Sequence, residues 1–359
     1  MKIADAHSIE ILVRKILVIQ TGDIGDVIWS IPTLIALKAA YPDAALFILT
    51  REPFGDLLAD DPVVEEVFQT GPAGVTAQMK RLMNLRRKHF DVLFDLRADS
   101  RGTVMAYLAK SKMKCALFYP GMSLRNHVFT HLITEPPPRE RKYGASMQSL
   151  RIVQGFGIPE TTYAPRLIVA DATRQRALDL LHSEKLTSDK AWISVNPFSR
   201  WTYKEWGMDK WCELAAGIWE RHGLPAVLVG SAAERERAED LKKHARSPVY
   251  NFAGRTTLPE MAAVLSLGRL HIGVDSAAPH IAAAVGTPTI AIYGPTNWRD
   301  WVLPDGLTRV VASDMPCAPC YQKGCNGRGI SRCLDDLSVD EVMAVLTDAL
   351  VGRKSMDKP

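Results

Sequence analysis

Short apolar runs alternate with amphipathic stretches along the whole chain. Lys15–Gln20 is six residues of nearly unbroken hydrophobicity and reads as a buried strand. Behind it, residues 21–32 carry Gly22 and Gly25, and Val27, Ile28, Ile31, Leu34 and Ile35 then fall on one face of a helix. The same rhythm predicts strands over 44–50, 63–68, 91–96 and 114–118. Helices are predicted over 53–59, 76–88, 101–110 and 145–156. Farther on, strands are predicted over 192–195, 226–230, 249–252, 270–274 and 289–293. Between them fall helices over 208–222, 232–245, 258–267 and 277–285, and 338–350 is a last amphipathic helix. In the helix at 208–222, Trp211, Leu214, Ala215, Ile218 and Trp219 are expected to face inward, and Thr257 is placed to cap the helix at 258.

Strand and helix in alternation mean βαβ units and mainly parallel sheets. A chain of 359 residues exceeds one ordinary core, so two doubly wound α/β domains are expected. The predicted division is 1–165, a linker at 166–188 that includes a polar helix near 173–183, a second domain at 189–337, and a C-terminal helix and tail at 338–359. Pro136, Pro137 and Pro138 mark a surface loop. No internal repeat of solenoid period is present.

No run approaches the roughly 18 apolar residues of a spanning helix. The N-terminus lacks the apolar core of a secretion signal, with Asp5 and Glu10 interrupting it. A soluble cytoplasmic protein is expected, with its six cysteines reduced or metal-bound.

The net charge of +4 implies no polyanionic partner by itself, but the charge is unevenly spread. Between Lys80 and Lys142 lie 14 Lys and Arg against 5 Asp and Glu, a surplus larger than that of the whole chain. A basic first half suggests an anionic partner, although many of these charges read singly as solvated helix faces. No basic stripe interleaved with aromatics is present, so no nucleic-acid partner is expected.

Three stretches carry candidate chemistry. Gly22, Gly25 and Asp26 sit at a strand-turn-helix junction, where ligands of open α/β sheets bind. Asp26 is there either a helix cap or a placed carboxylate. A second such junction is Gly273-Val274-Asp275-Ser276-Ala277, followed by Pro279 in the first helical turn. Free amides at that helix start would suit a diphosphate, and Asp275 could accept hydrogen bonds from sugar hydroxyls. His280 on the inner side reads by itself as a core histidine. The third stretch is the loop from Asn196 to Trp206, whose Ser199, Arg200, Thr202 and Lys204 offer the hydroxyls and cations that phosphates need. Gly294-Pro295-Thr296 supplies a further loop at the same sheet edge. Separately, Cys317, Cys320, Cys325 and Cys333 lie within 17 residues and open on a C-x₂-C pair. They could hold a structural zinc or iron, stay as a reduced metal-free cluster, or form disulfides under stress. Cys115 and Cys212 read as core residues.

Residues 21–32, the loop from Ser199 to Trp206, and the series Asp275-Ser276, His280, Ala282-Ala283-Ala284, Gly286-Thr287-Pro288 and Gly294-Pro295-Thr296 together resemble the heptosyltransferases of glycosyltransferase family 9. The resemblance spans roughly residues 14 to 345. It implies a GT-B fold, two Rossmann-like doubly wound domains facing a central cleft. It also implies inverting, metal-free transfer of a heptose from ADP-heptose to an inner-core sugar of lipopolysaccharide. Asp26 matches that family's proposed general base. Lys204 matches the lysine on the donor phosphates, Asp275 the aspartate on the donor sugar, and Ser276 and Ala277 the amides at the diphosphate. Asn196-Pro197-Phe198 departs from a His-Pro-Gly often found there.

The residue types of these loops and the resemblance together give the donor-side candidates as Ser199, Arg200, Thr202, Lys204, Asp275, Ser276, Ala277, His280, Gly294 and Thr296. Gly22, Gly25, Arg97, Arg101, Arg125 and Lys142 are the acceptor-side candidates for an anionic lipopolysaccharide at the cytosolic face of the inner membrane. No cofactor is expected for catalysis. Three other readings stay open. One is a GT-B transferase using another nucleotide sugar or a protein acceptor. A second is an NAD-dependent Rossmann enzyme, although Gly22-x-x-Gly25 is not the dinucleotide fingerprint. The last is a non-catalytic nucleotide-sugar sensor or a metal-clustered assembly protein.

Overall fold

The computed structural model describes residues 1–72, 74–97, 99–134, 145–186, 191–303 and 307–354. The chain divides into two compact units, Met1–Ile168 and Val169–Pro359. The triple proline lies outside the described residues.

The first unit is built on seven strands: β1 (Lys2–Ala4), β2 (Lys15–Gln20), β3 (Ala45–Arg51), β4 (Glu66–Thr70), β5 (Phe90–Asp95), β6 (Ser111–Leu117) and β7 (His131–Ile133). They pair in the order β1-β7-β6-β5-β2-β3-β4, every ladder parallel. Strands β2 and β5 are buried on both faces, which is why they read as continuous apolar runs instead of alternating ones. From β2 the chain steps outward to β3 and β4, then returns to the other side of β2 for β5. The topological switch point therefore lies between β2 and β5, where such sheets place ligands. The core beneath includes Leu17, Ile19, Phe47, Phe90, Leu93 and Leu132.

The second unit repeats the plan with β8 (Ile193–Asn196), β9 (Ala226–Leu228), β10 (Val249–Asn251), β11 (Leu270–Val274), β12 (Thr289–Tyr293) and β13 (Thr308–Ala312), in the order β10-β9-β8-β11-β12-β13. Its ladders are parallel too, and its switch point lies between β8 and β11, with Asn196 paired to Gly273 at that edge. Of the segment expected as a linker, Asp171–Ser183 is a helix that packs on Leu258–Leu267 through an Arg176–Glu260 ion pair at 2.9 Å. The last helix, Val339–Lys354, buries Val342, Met343 and Leu346 in the same core as Trp211 and Leu214.

Several expectations are corrected. Trp219 is 40% exposed, not inward. It lies at the margin of the stripe formed by Trp211, Leu214, Ala215 and Ile218 on Met208–His222. The strand expected at 63–68 starts at Glu66, because the Asp61 carboxylate accepts the Val63 amide at 2.9 Å and holds a turn there. One helix was expected after Gly25, and there are two, Ile24–Trp29 and Ile31–Ala40. Ser30 separates them, its hydroxyl donating to the Val27 carbonyl at 2.7 Å, with Pro32 opening the second. The cap at Thr257 is present as a capping box, with Glu260 accepting the Thr257 amide at 2.9 Å. Strands β1, β7 and β13 have no sequence prediction. The first two are three residues long, and β13 is a half-exposed edge strand.

Candidate active site

In the first unit, Asp26 sits on the helix that follows β2. It is not the N-cap residue. Asp23 holds that place, and Asp26 is three positions on, its Oδ2 accepting the Asp23 amide at 2.9 Å. The same oxygen accepts from Arg97 Nη1 at 2.6 Å. The glycines beside it were expected to allow a sharp turn, yet neither Gly22 nor Gly25 has a positive φ. What Gly22 provides is space, since a Cβ there would lie 2.3 Å from Asp26 Oδ2 and 2.6 Å from its Cβ and Cγ. Gly25 lies within the first turn of the helix.

Arg97 follows β5 across the switch point. Its Nε lies 3.5 Å from Asp99 Oδ2, and Asp99 accepts from Thr21 Oγ1 at 2.9 Å and from the Gly102 amide at 2.8 Å as the cap of Ser100–Leu108. Two loops from two strands thus fix one guanidinium against one carboxylate. The Asp26 side chain keeps 18% of its surface exposed. Burial is the dominant influence on its carboxyl and raises its pKa above the ordinary 3.8. Arg97, the Asp23 amide, and the Asp23 and Asp99 charges act after it, the first two opposing the rise. A carboxylate that is desolvated yet still open to one side is suited to take a proton.

The other acceptor-side candidates are placed differently. Arg101 is exposed in the first turn of Ser100–Leu108. Arg125 turns inward, donating to the Leu117 carbonyl at 2.8 Å and to Asn126 Oδ1 at 2.9 Å between the rings of Tyr119 and Phe129. Lys142 lies outside the described residues.

In the second unit, the loop after β8 and the loop after β11 meet at the switch point. Lys204 Nζ lies 2.7 Å from Asp275 Oδ2, and Thr296 Oγ1 donates to the same oxygen at 2.5 Å. Ser199 Oγ donates to the Asp275 carbonyl at 3.2 Å. Ser276 Oγ donates to Asn196 Oδ1 at 2.6 Å, and Asn196 Nδ2 to the Val229 carbonyl at 2.9 Å. Ser276 is the N-cap of Ala277–Ala284, so Ala277 is its first residue. His280 lies one turn on, its ring 5.6 Å from that of Trp301. Burial pushes it down to about 4, Asp275 opposing and Lys204 adding, so the imidazole is neutral at pH 7. Arg200 lies over Trp201, and Thr202 is exposed at the start of a short helical turn through Lys204.

Sequence reading missed the groups that hold this loop. Glu205 accepts the Ser199 amide at 2.9 Å and pairs with Arg237 through both its oxygens. Ser331 Oγ donates to the Tyr203 carbonyl at 2.6 Å, and the Tyr321 amide to the Pro295 carbonyl at 2.7 Å. A Cβ on Gly294 would strike Leu334 at 2.6 Å and Cys333 Sγ at 3.1 Å. The cysteine-bearing segment therefore braces both the Lys204 loop and the Thr296 loop. All four of its thiols are free. Burial and the nearby Cys320, Cys325 and Cys317 push the Cys333 thiol up to about 11, so it is protonated at neutral pH. Among the described residues no three His, Cys, Asp or Glu are placed to hold a metal ion. Of the three states their spacing left open, the structure shows free thiols, with no zinc or iron site arranged among the described residues.

The comparisons with known proteins follow the same lines. The model of glycosyltransferase family 9 (heptosyltransferase) matches residues 79–330. Lipopolysaccharide heptosyltransferase 1 of Pseudomonas aeruginosa is 28% identical over 328 residues, covering 87% of each chain. Lipopolysaccharide heptosyltransferase 3 of Escherichia coli K12 is 26% identical over 301 residues, 77% of this chain and 82% of its own. A glycosyltransferase family 9 structure from Veillonella parvula superposes with a TM-score of 0.81 at 18% identity, covering 96% of this chain and 99% of that one. With the family model spanning most of the sequence and both sheets showing the doubly wound order of a GT-B enzyme, the chain belongs to glycosyltransferase family 9 and is a glycosyltransferase.

Proposed function

We propose that the protein transfers a heptose from ADP-heptose to an inner-core sugar of lipopolysaccharide, inverting the anomeric carbon, with Asp26 as general base. The observation that carries this reading is the setting of Asp26. Gly22 leaves room for its carboxylate, Arg97 and the Asp23 amide fix it, and burial raises its pKa. An acceptor hydroxyl is a weak nucleophile whose proton must leave as it attacks. A placed base contributes about 10²–10⁴-fold to such a step.

The atoms balance in one displacement. The acceptor oxygen bonds to the anomeric carbon as its proton passes to an Asp26 oxygen. The bond from that carbon to the β-phosphate oxygen breaks, and its electron pair leaves with ADP. The charge that develops on the diphosphate calls for cations and amides. Lys204, Arg200, Thr202 and the helix start at Ser276 and Ala277 are the groups assigned to it, and Asp275 and Thr296 are assigned to the sugar. No cofactor takes part in this sequence. Support for the donor comes from fold relatives solved with ADP and with ADP-2-deoxy-2-fluoro heptose, and for the acceptor from relatives named for lipopolysaccharide. Among the described residues no helix is long and apolar enough to cross a membrane. The reading places the enzyme at the cytosolic face of the inner membrane, where a lipid-linked acceptor would be met.

The test is to incubate the protein with ADP-heptose and heptose-deficient lipopolysaccharide and weigh the product. The expected result is a gain of one heptose, and with Asp26→Asn unchanged ADP binding with transfer reduced by about 10²-fold or more. Near wild-type turnover by the variant would remove Asp26 as the base. No mass gain from any heptose-deficient acceptor would overturn the substrate assignment.

A further inference from the structure

Two neighbouring helices of the first unit present an apolar and basic surface to solvent. Val75–Lys88 buries Leu85 against its sheet, while Met79 is 51% and Met83 46% exposed on the other side. These two methionines are one turn apart, and Lys80 and Arg87, seven apart, flank them on the same side of the helix. Ser100–Leu108 likewise exposes Val104 at 54% and Tyr107 at 69%, one turn apart, in line with Arg101. The chain steps from β4 to β5 and from β5 to β6 in one direction across the sheet. Right-handed crossovers therefore put both helices on the same sheet face. Their ends are joined, Arg86 Nη1 donating to the Leu108 carbonyl at 3.0 Å.

The charge on this surface is of one sign. Residues 71–89 contain five Lys and Arg and no Asp or Glu, and 99–110 has only the capping Asp99. Arg81 and Lys88 are taken up by Glu52 and Glu66. Lys80 and Arg87 have no ion-pair partner among the described residues, and both are exposed. Four large apolar side chains held out in water beside unneutralised cations are costly unless something covers them. A cover that takes both in one plane, apolar below and anionic at its rim, is the headgroup region of an anionic bilayer.

We infer that the joined faces of Val75–Lys88 and Ser100–Leu108 dock on an anionic lipid surface, with Met79, Met83, Val104 and Tyr107 entering it and Lys80 and Arg87 at the phosphates. The site and the surface are continuous through one helix. Ser100–Leu108 is capped by Asp99, which holds Arg97, which holds Asp26. Docking would bring a lipid-anchored acceptor to the end of the helix where the base stands. That last consequence rests on the proposed function, whereas lipid binding itself does not.

The full chain is sedimented with vesicles of phosphatidylcholine alone and of phosphatidylcholine mixed with phosphatidylglycerol. Binding is expected to the second only, and to fall with added salt. Lys80→Gln with Arg87→Gln should weaken it roughly 30-fold, since each cation near an anionic surface contributes about fivefold and the two factors multiply. Met79→Ser with Met83→Ser should weaken it about tenfold. These positions are exposed, so both variants should keep the wild-type melting temperature and the wild-type rate on a delipidated acceptor, while losing rate on acceptor embedded in vesicles. Equal partition onto both vesicle types, or wild-type binding by both variants, would overturn the inference. So would a dimer that the methionine variant dissolves, since a second copy would then be the cover. Failure on the delipidated acceptor by every form would instead count against the proposed function.

Discussion

Gly22→Ala is the sharpest probe of the base, because it removes no charged group. The added methyl would lie 2.3 Å from Asp26 Oδ2 and 2.6 Å from Asp26 Cβ. The oxygen could swing away, but Cβ is fixed to the helix that begins at Ile24. Helix or turn must therefore shift, at about 1–3 kcal/mol for an overpacked site. For a unit of this size that lowers Tm by roughly 2–12 °C. The displaced carboxylate loses the Asp23 amide and its alignment with Arg97. If Asp26 is the base, kcat should fall by about 10²–10⁴-fold, or roughly 3–5 kcal/mol in the barrier. The assay is turnover well below the variant's Tm, with ADP affinity measured in parallel and expected to stay unchanged. A cycle with Asp26→Asn completes it. When both changes act on one carboxylate, the double variant loses no more than the worse single one. A folded Gly22→Ala enzyme with wild-type kcat, or multiplied losses in the double variant, would refute the reasoning.

Two further outcomes follow from the ion pairs. Burial raises the Asp26 pKa and Arg97 is the strongest opposing influence, so Arg97→Ala should raise it further. A base works deprotonated, so the acid limb of kcat/KM should move to higher pH, which a pH–rate profile reads directly. Stability has the matching sign. Because the folded value lies above the unfolded one, the native state holds the proton more tightly. The penalty is absent below the unfolded value, grows as pH rises through the folded value, and should be larger in the variant when Tm is followed against pH. In the second unit, Lys204→Ala should weaken ADP or ADP-heptose by about tenfold or more, the worth of one charge-assisted hydrogen bond. Calorimetry showing unchanged affinity would take Lys204 out of the donor site.

Much of the fold was legible because doubly wound sheets write themselves as apolar runs. β2, β5, β11 and β12 are buried on both faces, and each was legible as a strand from its apolar run. The elements missed were those whose burial is not local. β1 and β7 are short and find each other across the first unit, and β13 is half-exposed. Trp219 misled because an indole at the margin of a helical stripe scores as core while most of its neighbours cover only one side of it. At the site, sequence spacing marked the loop ends but not their partners. Asp26 and Arg97 are 71 residues apart, as are Lys204 and Asp275, and only the return crossing of each sheet brings them together. Asp99 carried a local signal, standing one residue before a helix, but it reads there as a cap, which it also is.

Each unit uses the same device at its own switch point, a carboxylate whose charge is balanced by a cation from the strand across it. The consequences differ. Arg97 and the Asp23 amide both engage Asp26 through Oδ2, so in the proposed reaction Oδ1 is the oxygen that meets the acceptor. Lys204 and Thr296 likewise both engage Asp275 Oδ2, so in the proposed reaction Oδ1 is the oxygen left for a donor hydroxyl, and the paired charge would not oppose the diphosphate. Such a pair works only while both loops hold their places. Neither loop is held by the sheet alone, since Ser331 grips Tyr203 beside Lys204, and Tyr321 grips Pro295 beside Thr296. Ser331 and Tyr321 belong to the segment that carries the four thiols, so in the proposed reaction that segment would be a positioning element for the donor groups. Of its cysteines, Cys333 packs under Gly294, where an added Cβ would meet its Sγ at 3.1 Å, so that thiol contributes through packing.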